Sequence, residues 1–397
     1  MRILLVNKFY YQRGGDSTAV FSTEQLLKAH GHEVAIFSMQ HPDNVRSEWE
    51  KYFPAEVVFS FSGLSTILPA VRRIFHCPEV ALKLKQLLAD FRPDVVHLHN
   101  IHSYLSPLVA AIARQKGIRV VWTLHDYKLI CPTYTCLRKG AVCEACFKNK
   151  ANVILHKCMK QSICASLLGF LEACYWNKRK LSRITDAFIS PSVFLKSKMT
   201  EAGFSPKQIE VLPNFMPQKV SPATEKEDYY CYVGRISAEK GVDMLLEAAC
   251  QLPYHLKIIG GGPLLDAYRN KYPLKQVEFC GQMKPDELYP IVRKARFLVI
   301  PSIWYENNPF SAIEALCMGT PLLGARIGGI PELTNENNGM LFTPGNITEL
   351  RDKINLFFTD YANFFDYKKI ASQSYNIFSP DTFYKQLLQI YTIESSC

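Results

Sequence analysis

The chain opens on an unbroken apolar run, Ile3-Leu4-Leu5-Val6, and short runs of this kind recur along most of its length. Each is too short for a helix. After each come a polar or glycine-containing loop and then a stretch with apolar residues three and four apart. Runs that are apolar on both faces predict parallel strands, and the stretches between them predict covering helices. In the first half the strands fall at 2–6, 33–37, 94–98, 119–124, 187–190 and 209–212. The helices there run from a cap at Asp16 or Ser17 to about His30, then as a pair between 40 and 92 with the second at 80–91, then over 107–116. The second half repeats the alternation: strands at 229–233, 255–259, 277–280, 297–300 and 321–324, helices near 241–251, 263–271, 285–294 and 309–318. Further helices are predicted over 346–358 and 380–393. Alternation of this kind predicts an α/β protein with doubly wound parallel sheets.

Two stretches break the pattern. Residues 213–228 are polar and proline-containing and read as a linker. At 397 residues one core is not expected, so the break separates two domains. The other break, 128–183, lies inside the first half. The predicted division is an N-terminal domain over 1–190 with a cysteine-rich insert at 131–164, an interdomain segment over 191–228, a C-terminal domain over 229–376, and a terminal helix in 377–397 that packs back on the N-terminal domain. Hydropathy offers no run of about 20 apolar residues. The first residues read as a strand, not as a leader, so a cytoplasmic location is expected.

Charge changes this picture. Residues 1–200 carry 27 Lys/Arg against 14 Asp/Glu, whereas 201–397 carry 19 against 22. Within 128–183 there are 11 basic residues and two acidic ones. A basic half facing an acidic one predicts an anionic partner on the basic side: membrane lipid, a phosphorylated acceptor or nucleic acid. No aromatic–basic motif supports nucleic acid.

Candidate chemistry gathers at the predicted carboxyl ends of strands, where open α/β sheets bind ligands. Gly14-Gly15 follows the first strand. It is not the Gly-x-Gly-x-x-Gly of dinucleotide folds, but it permits close approach of a ligand. His99 and His125-Asp126 sit at two further strand ends. In the second half, Gly234-Arg235 and Lys240-Gly241 bring a forked and a point cation to one edge, a pairing suited to a diphosphate. Gly260-Gly261-Gly262-Pro263 and Gly328-Gly329-Ile330-Pro331-Glu332 add loops at the same edge. The segment Glu306-Asn307-Asn308-Pro309-Phe310-Ser311-Ala312-Ile313-Glu314 places two carboxylates eight positions apart around a helix start. The helix N-terminus suits phosphate and the carboxylates suit sugar hydroxyls.

Taken in order, these motifs resemble the retaining glycosyltransferases of family 4. The resemblance covers nearly the whole chain and implies the GT-B architecture, two Rossmann-like domains facing a central cleft. It implies that Arg235 and Lys240 hold the donor diphosphate, that Glu314 binds the nucleotide ribose, and that Glu306 contacts the donor sugar. The backbone around Asn308, Phe310 and Ser311 would hold the sugar and distal phosphate, with Gly261 at the same edge. His125 would lie beside the reacting carbon, with His99 and Asp126 near it, and Gly14 and Gly15 would let a loop close over the diphosphate. Members often read Glu-x-Phe-Gly after the first glutamate. This chain has Asn307-Asn308-Pro309-Phe310, and Pro309 removes a backbone donor there.

The implied reaction transfers a sugar from a nucleoside-diphosphate sugar to a glycan or polyprenyl-diphosphate-linked acceptor in bacterial surface-polysaccharide synthesis. It needs no catalytic cofactor, and the chain contains no Asp-x-Asp. Two other readings share the motifs: a sugar-nucleotide epimerase on the same fold, and a non-catalytic nucleotide-sugar-binding subunit. Within the insert, Cys136, Cys143, Cys146 and Cys158 are the candidate ligands of a structural zinc ion, and buried free thiols are the alternative. A helix over 166–182, apolar and then basic at Lys178-Arg179-Lys180, reads either as a face on an anionic membrane or as core packing. The first reading makes the protein peripheral on the inner face of the membrane.

Overall fold

The structure is a computed structural model and describes residues 1–57, 71–223, 225–361 and 364–393. The chain divides into two compact units. One comprises Met1–Cys136, Cys143–Leu212 and Tyr384–Cys397, the other Leu137–Val142 and Pro213–Phe383.

The first unit holds a six-stranded sheet of β1 (Arg2–Val6), β2 (Glu33–Phe37), β3 (Val95–Leu98), β4 (Arg119–Thr123), β5 (Ala187–Ser190) and β6 (Ile209–Val211), in the order β2-β1-β3-β4-β5-β6. Every pairing is parallel. The apolar runs are what this arrangement needs. Ile3, Leu4, Leu5 and Val6 are all fully buried, because helices cover both faces. The chain returns to this unit at Tyr384. On the helix Pro380–Thr392, Leu387, Ile390 and Tyr391 are buried, and the Arg119 guanidinium donates to the Ile390 carbonyl at 2.8 and 3.1 Å. The ring of Tyr384 stacks on His30 at 3.7 Å.

The second unit holds β7 (Tyr229–Val233), β8 (His255–Ile259), β9 (Val277–Gly281), β10 (Leu298–Ile300), β11 (Leu322–Ala325) and β12 (Gly339–Phe342), in the order β9-β8-β7-β10-β11-β12 and again all parallel. An aromatic stack, Tyr230 on Phe297 at 5.2 Å and Phe297 on Phe357 at 4.1 Å, packs the helix Ile347–Phe358 onto the sheet. In both sheets the strand order reverses beside the first strand, between β1 and β3 and between β7 and β10. The connections on either side diverge there and open a crevice at the strand ends.

Several local expectations change. The first helix spans Gly15–Ala29 with Gly14 at its cap position. Neither Asp16 nor Ser17 precedes it; Ser17 lies in the first turn, where its hydroxyl accepts from Gly14 N–H at 3.1 Å. The helix expected over 166–182 is two helices, Ile163–Tyr175 and Lys178–Ile184, because Asn177 caps the second by accepting from Lys180 N–H. The strand Gly339–Phe342 and the helix Tyr367–Phe378 were not anticipated. The earlier of the two helices expected between 40 and 92 falls partly outside the described residues. No described helix is long and apolar enough to cross a membrane.

Candidate functional site

Two strand-end sites occupy the two reversal points, one in each unit. In the second unit the loops after β7, β8 and β10 are locked together by backbone. Gly260, at φ 138°, lies so close to the loop after β7 that a Cβ there would stand 2.0 Å from the Gly234 carbonyl. Gly241, at φ 66°, would place one 2.1 Å from the Pro301 carbonyl. Only glycine fits such approaches. The Ile303 N–H donates to the Glu239 carbonyl at 3.1 Å, closing the same seam.

This seam carries Lys240 to Glu306. The Lys240 ammonium lies 2.7 Å from Glu306 Oε1 and 5.1 Å from the centre of the Trp304 ring. The same carboxylate oxygen accepts from Ser302 Oγ at 2.5 Å and Trp304 Nε1 at 2.9 Å. Burial alone would push this buried carboxyl up, but Lys240 and the two neutral donors outweigh it and hold Glu306 below the usual carboxylate range. The loop bends at Ile303 and Trp304, and that bend brings Ser302 and Trp304 to the same oxygen of Glu306. Neither Ser302 nor Trp304 was among the expected site residues.

Glu314 lies one turn into the helix Phe310–Cys317, whose cap position is Pro309; Phe310 and Ser311 form its first turn. Tyr289 donates to Glu314 at 3.1 Å, and burial raises the carboxyl to about 7. Glu314 is therefore the carboxylate without a cation, and Glu306 the one with it. The Asn308 side chain is already engaged: its Oδ1 accepts from Asn214 N–H at 2.8 Å, and its carbonyl accepts from Asn214 Nδ2 at 2.8 Å. Arg235 is exposed, with its carbonyl held by the Tyr232 hydroxyl, and Gly261 lies next in the chain to the Gly260 contact. A separate cavity of about 410 Å³, lined by Leu316, Glu332, Asn338, Gln373 and Phe378 among others, includes none of the expected site residues.

In the first unit the loops after β1, β3 and β4 meet. Lys8 N–H donates to the Asn100 carbonyl at 2.9 Å, and Asn100 Nδ2 donates to Asp16 at 3.0 Å. His99 Nδ1 lies 2.9 Å from His125 Nε2, with the two rings stacked. His97 is bound on both sides, by the Tyr391 and Thr123 hydroxyls at 2.7 Å each. Burial lowers all four histidines of the cluster, His97 and His102 to about 3 and His99 and His125 also below their ordinary value. They are neutral rings at neutral pH. Burial raises Asp126, which stands 3.6 Å from His102. Asp16 is pushed up by burial yet ends below its ordinary value, held there by Lys8 and by the hydrogen bond from Asn100. Gly14 and Gly15 are exposed at the entrance to the first helix, and a Cβ on Gly14 would meet nothing nearer than Asp16 at 3.8 Å. The expected His99, His125 and Asp126 thus lie together, in a cluster that also holds Lys8, Asp16, Asn100 and His102.

The expected zinc set, Cys136, Cys143, Cys146 and Cys158, is not assembled. Among the described residues no three His, Cys, Asp or Glu side chains are arranged to hold a metal ion. The thiols of Cys136 and Cys146 instead hydrogen-bond to Cys131, which lay outside the expected set; this holds Cys131 well below the usual thiol range and pushes its two partners up. Cys143 meets Cys136 through backbone, its N–H donating to the Cys136 carbonyl at 2.8 Å.

Comparison with known proteins places the chain in a family. Residues 13–218, just over half of the chain, match the family model described as Glycosyltransferase Family 4, and 217–376 match Glycosyl transferases group 1. An uncharacterised 42.6 kDa protein in the cps region of Klebsiella pneumoniae is 27% identical over 84% of this chain and 87% of its own. The phosphatidylinositol N-acetylglucosaminyltransferase gpi3 subunit of Schizosaccharomyces pombe is 22% identical over 98% of this chain and 77% of its own. Among solved structures, sucrose-phosphate synthase from Thermosynechococcus elongatus superposes with a TM-score of 0.69 at 18% identity, covering 98% of each chain. Anabaena HepE in complex with UDP gives 0.66 at 16%, covering 98% and 99%.

Proposed function

This chain belongs to glycosyltransferase family 4, with the two parallel-sheet domains of a GT-B glycosyltransferase, and from that premise we propose a retaining, metal-independent hexosyltransferase of bacterial surface-polysaccharide synthesis. The donor is a nucleoside-diphosphate sugar. The acceptor is a glycan or polyprenyl-diphosphate-linked glycan of capsule, O-antigen or exopolysaccharide. The Klebsiella relative's place in a cps region supports this setting. The C-terminal domain, 229–376, takes the donor, and the N-terminal domain, 1–190, takes the acceptor on the cytoplasmic side of the membrane.

The observation that carries the reading is the division of labour between Glu306 and Glu314. Glu306 is ionised, buried and clamped, so its remaining oxygen can accept from a sugar hydroxyl without the side chain moving. Burial raises Glu314 toward neutrality, as suits a carboxyl completed by a ribose diol. In transfer, the bond from the sugar's anomeric carbon to the diphosphate oxygen breaks, and a bond to the acceptor oxygen forms on the same face. The acceptor proton passes to the departing diphosphate, whose charge Arg235 and Lys240 stabilise. His125 and Asn308 take positioning roles, His125 as a neutral ring and Asn308 by fixing the loop that carries Glu306.

The test is the melting temperature of the purified protein against a panel of nucleotide sugars and bare nucleoside diphosphates. A ligand of the folded state raises it by mass action. One nucleotide sugar should raise it more than its bare diphosphate does, and that donor should label a polyprenyl-diphosphate glycan by one hexose in mass spectrometry. Conversion of the donor with no acceptor present would identify an epimerase instead. A shift with a nucleotide sugar but no transfer to any acceptor would identify a non-catalytic binding subunit, and no shift with any donor would overturn the donor assignment.

A further inference from the structure

The helix Ile163–Tyr175 is built inside out. The residues it buries are Ala165, Ser166, Gly169 and Glu172. Its single charge points inward: Glu172 lies 2.8 Å from Lys128 and accepts from Ser103 Oγ at 2.7 Å. Outward, Ile163 is 55% exposed, Leu167 and Leu171 are 45% each, and Tyr175 is 43%. Their spacing of four sets them in one line, and the other exposed positions of this helix are Cys164 and Cys174. Leu155, just upstream, is 73% exposed. A helix standing in water carries the opposite arrangement, and an exposed apolar face of this extent marks an interface.

Charge indicates what covers it. Residues 143–183 contain eight Lys/Arg and two Glu, and both glutamates are engaged within the unit, Glu172 with Lys128 and Glu144 with Lys198 at 2.9 Å. Lys157 precedes the helix, and Arg179 and Lys180 follow it. The Lys180 ammonium stands 3.5 Å over the Tyr175 ring and 4.2 Å over Trp176, beside the end of the apolar line. Apolar side chains flanked by cations, with a tyrosine at the border, match an anionic lipid surface: acyl chains under the line, phosphates beside it. A protein partner would need polar groups to fix its register. The outward face offers only two thiols and one phenol.

We propose that this face docks the protein on an anionic membrane, with the helix Ile163–Tyr175 lying in the plane of the interface. Ile163, Leu167 and Leu171 enter the headgroup–acyl boundary, and Lys157, Arg179 and Lys180 meet lipid phosphates. The inference takes its setting from the membrane-side acceptor proposed above. Vesicle binding is measured without donor or turnover, so either can fail alone.

The experiment floats the full-length protein with phosphatidylcholine vesicles, with and without phosphatidylglycerol. Binding is expected to the anionic vesicles and to weaken with salt. Leu167→Gln with Leu171→Gln should lower partitioning about tenfold or more. Arg179→Ala and Lys180→Ala should each lower it about fivefold. Circular dichroism confirms that each variant is folded. Unsubstituted protein gives an independent reading: bound vesicles should slow alkylation of Cys164 and Cys174 several-fold. The proposal is overturned if the protein ignores anionic vesicles, if folded variants bind as well as the parent, or if both thiols label equally with and without vesicles. A dimer that Leu167→Gln with Leu171→Gln converts to monomer, with no vesicle binding, would assign the face to a second copy.

Discussion

The two strand-end sites grow from nearly the same topology and reach opposite electrostatics. In the second unit, one charge pair is kept: Lys240 and Glu306 at 2.7 Å, with Ser302 and Trp304 holding the carboxylate. In the first, Lys8 and Asp16 keep a looser pair at 3.9 Å, while burial lowers four histidines, which stand neutral around His99 and His125. The sheet supplies only the crevice. What occupies it depends on whether the loops bring a counter-charge along with the charge. A buried charge with a partner persists, whereas a buried base without one gives up its proton.

The sharpest way to break this contrast is Lys240→Ala. It removes the cation and leaves Glu306 buried with two neutral donors. Turnover of the donor should fall about a thousandfold, the scale of losing one preorganised charge contact. Activity within tenfold of the parent would show that the pair serves the fold and not the reaction. The next largest effect separates the units by pH. His97 and His102 sit at about 3, below their ordinary value, so their stabilising contribution is complete above pH 6.5 and drains as pH falls toward 3. At pH 5 the pair should have cost the first unit about 2–4 kcal/mol relative to pH 7.5. Hydrogen exchange over 95–127 should then quicken in acid while exchange over 298–325 does not. Equal acceleration in both would refute the assignment.

The parallel strands were legible where their burial is near-complete, as in Arg2–Val6 and Tyr229–Val233. Tyr229–Val233 is a contiguous apolar and aromatic run, and His255–Ile259 keeps Leu256, Ile258 and Ile259 buried ahead of the turn signal of Gly260-Gly261-Gly262; the bounds of both match the reading. The helix Tyr367–Phe378 was not, since its buried positions, Ile370, Ala371, Ser374 and Phe378, include a serine and an alanine that blur the apolar period. The strand Gly339–Phe342 is four residues behind an asparagine-rich turn. At the sites, residue types were legible and their partners were not. Asn308 faces Asn214, 94 positions away, and His97 meets Tyr391 across 294. No local pattern encodes such pairings. Cys131 shows the same limit: its thiol lies with Cys136 and Cys146, yet spacing alone favoured Cys143.

Glu314 sharpens the comparison from the other side. Its carboxyl is raised to about 7 by burial, so the folded protein holds this proton more tightly than the unfolded chain does. That contribution is fully present below about pH 4.5 and is lost as pH rises through 7. Glu314→Gln should therefore stabilise the ligand-free protein by about 1–3 kcal/mol at pH 8, toward the low end because the side chain keeps some solvent contact, and by almost nothing at pH 4. The same variant should bind nucleoside diphosphate about tenfold more weakly, because an amide is a poorer acceptor for ribose hydroxyls than a carboxylate. Denaturant unfolding at the two pH values, with calorimetric titration of the diphosphate, reads both. A variant less stable than the parent at pH 8 would remove Glu314 from the role of unpaired carboxyl.

Trp304→Phe carries the smallest effect and isolates the clamp from the charge pair. The indole N–H is one of three donors on Glu306 Oε1, and the ring also lies 5.1 Å from the Lys240 ammonium. Phenylalanine keeps a weaker form of the cation–ring attraction and deletes the hydrogen bond. Lys240 and Ser302 remain, so Glu306 stays ionised and the loss should be about 1 kcal/mol. Turnover should fall less than tenfold, and most of the loss should appear in kcat, because a loosened Glu306 still meets the donor but spends less time aligned with it. If the loss appears only in KM, Trp304 is a wall of the donor pocket. If stability falls by several kcal/mol with kcat unchanged, the indole is packing, and the three-donor clamp has no part in aligning the carboxylate.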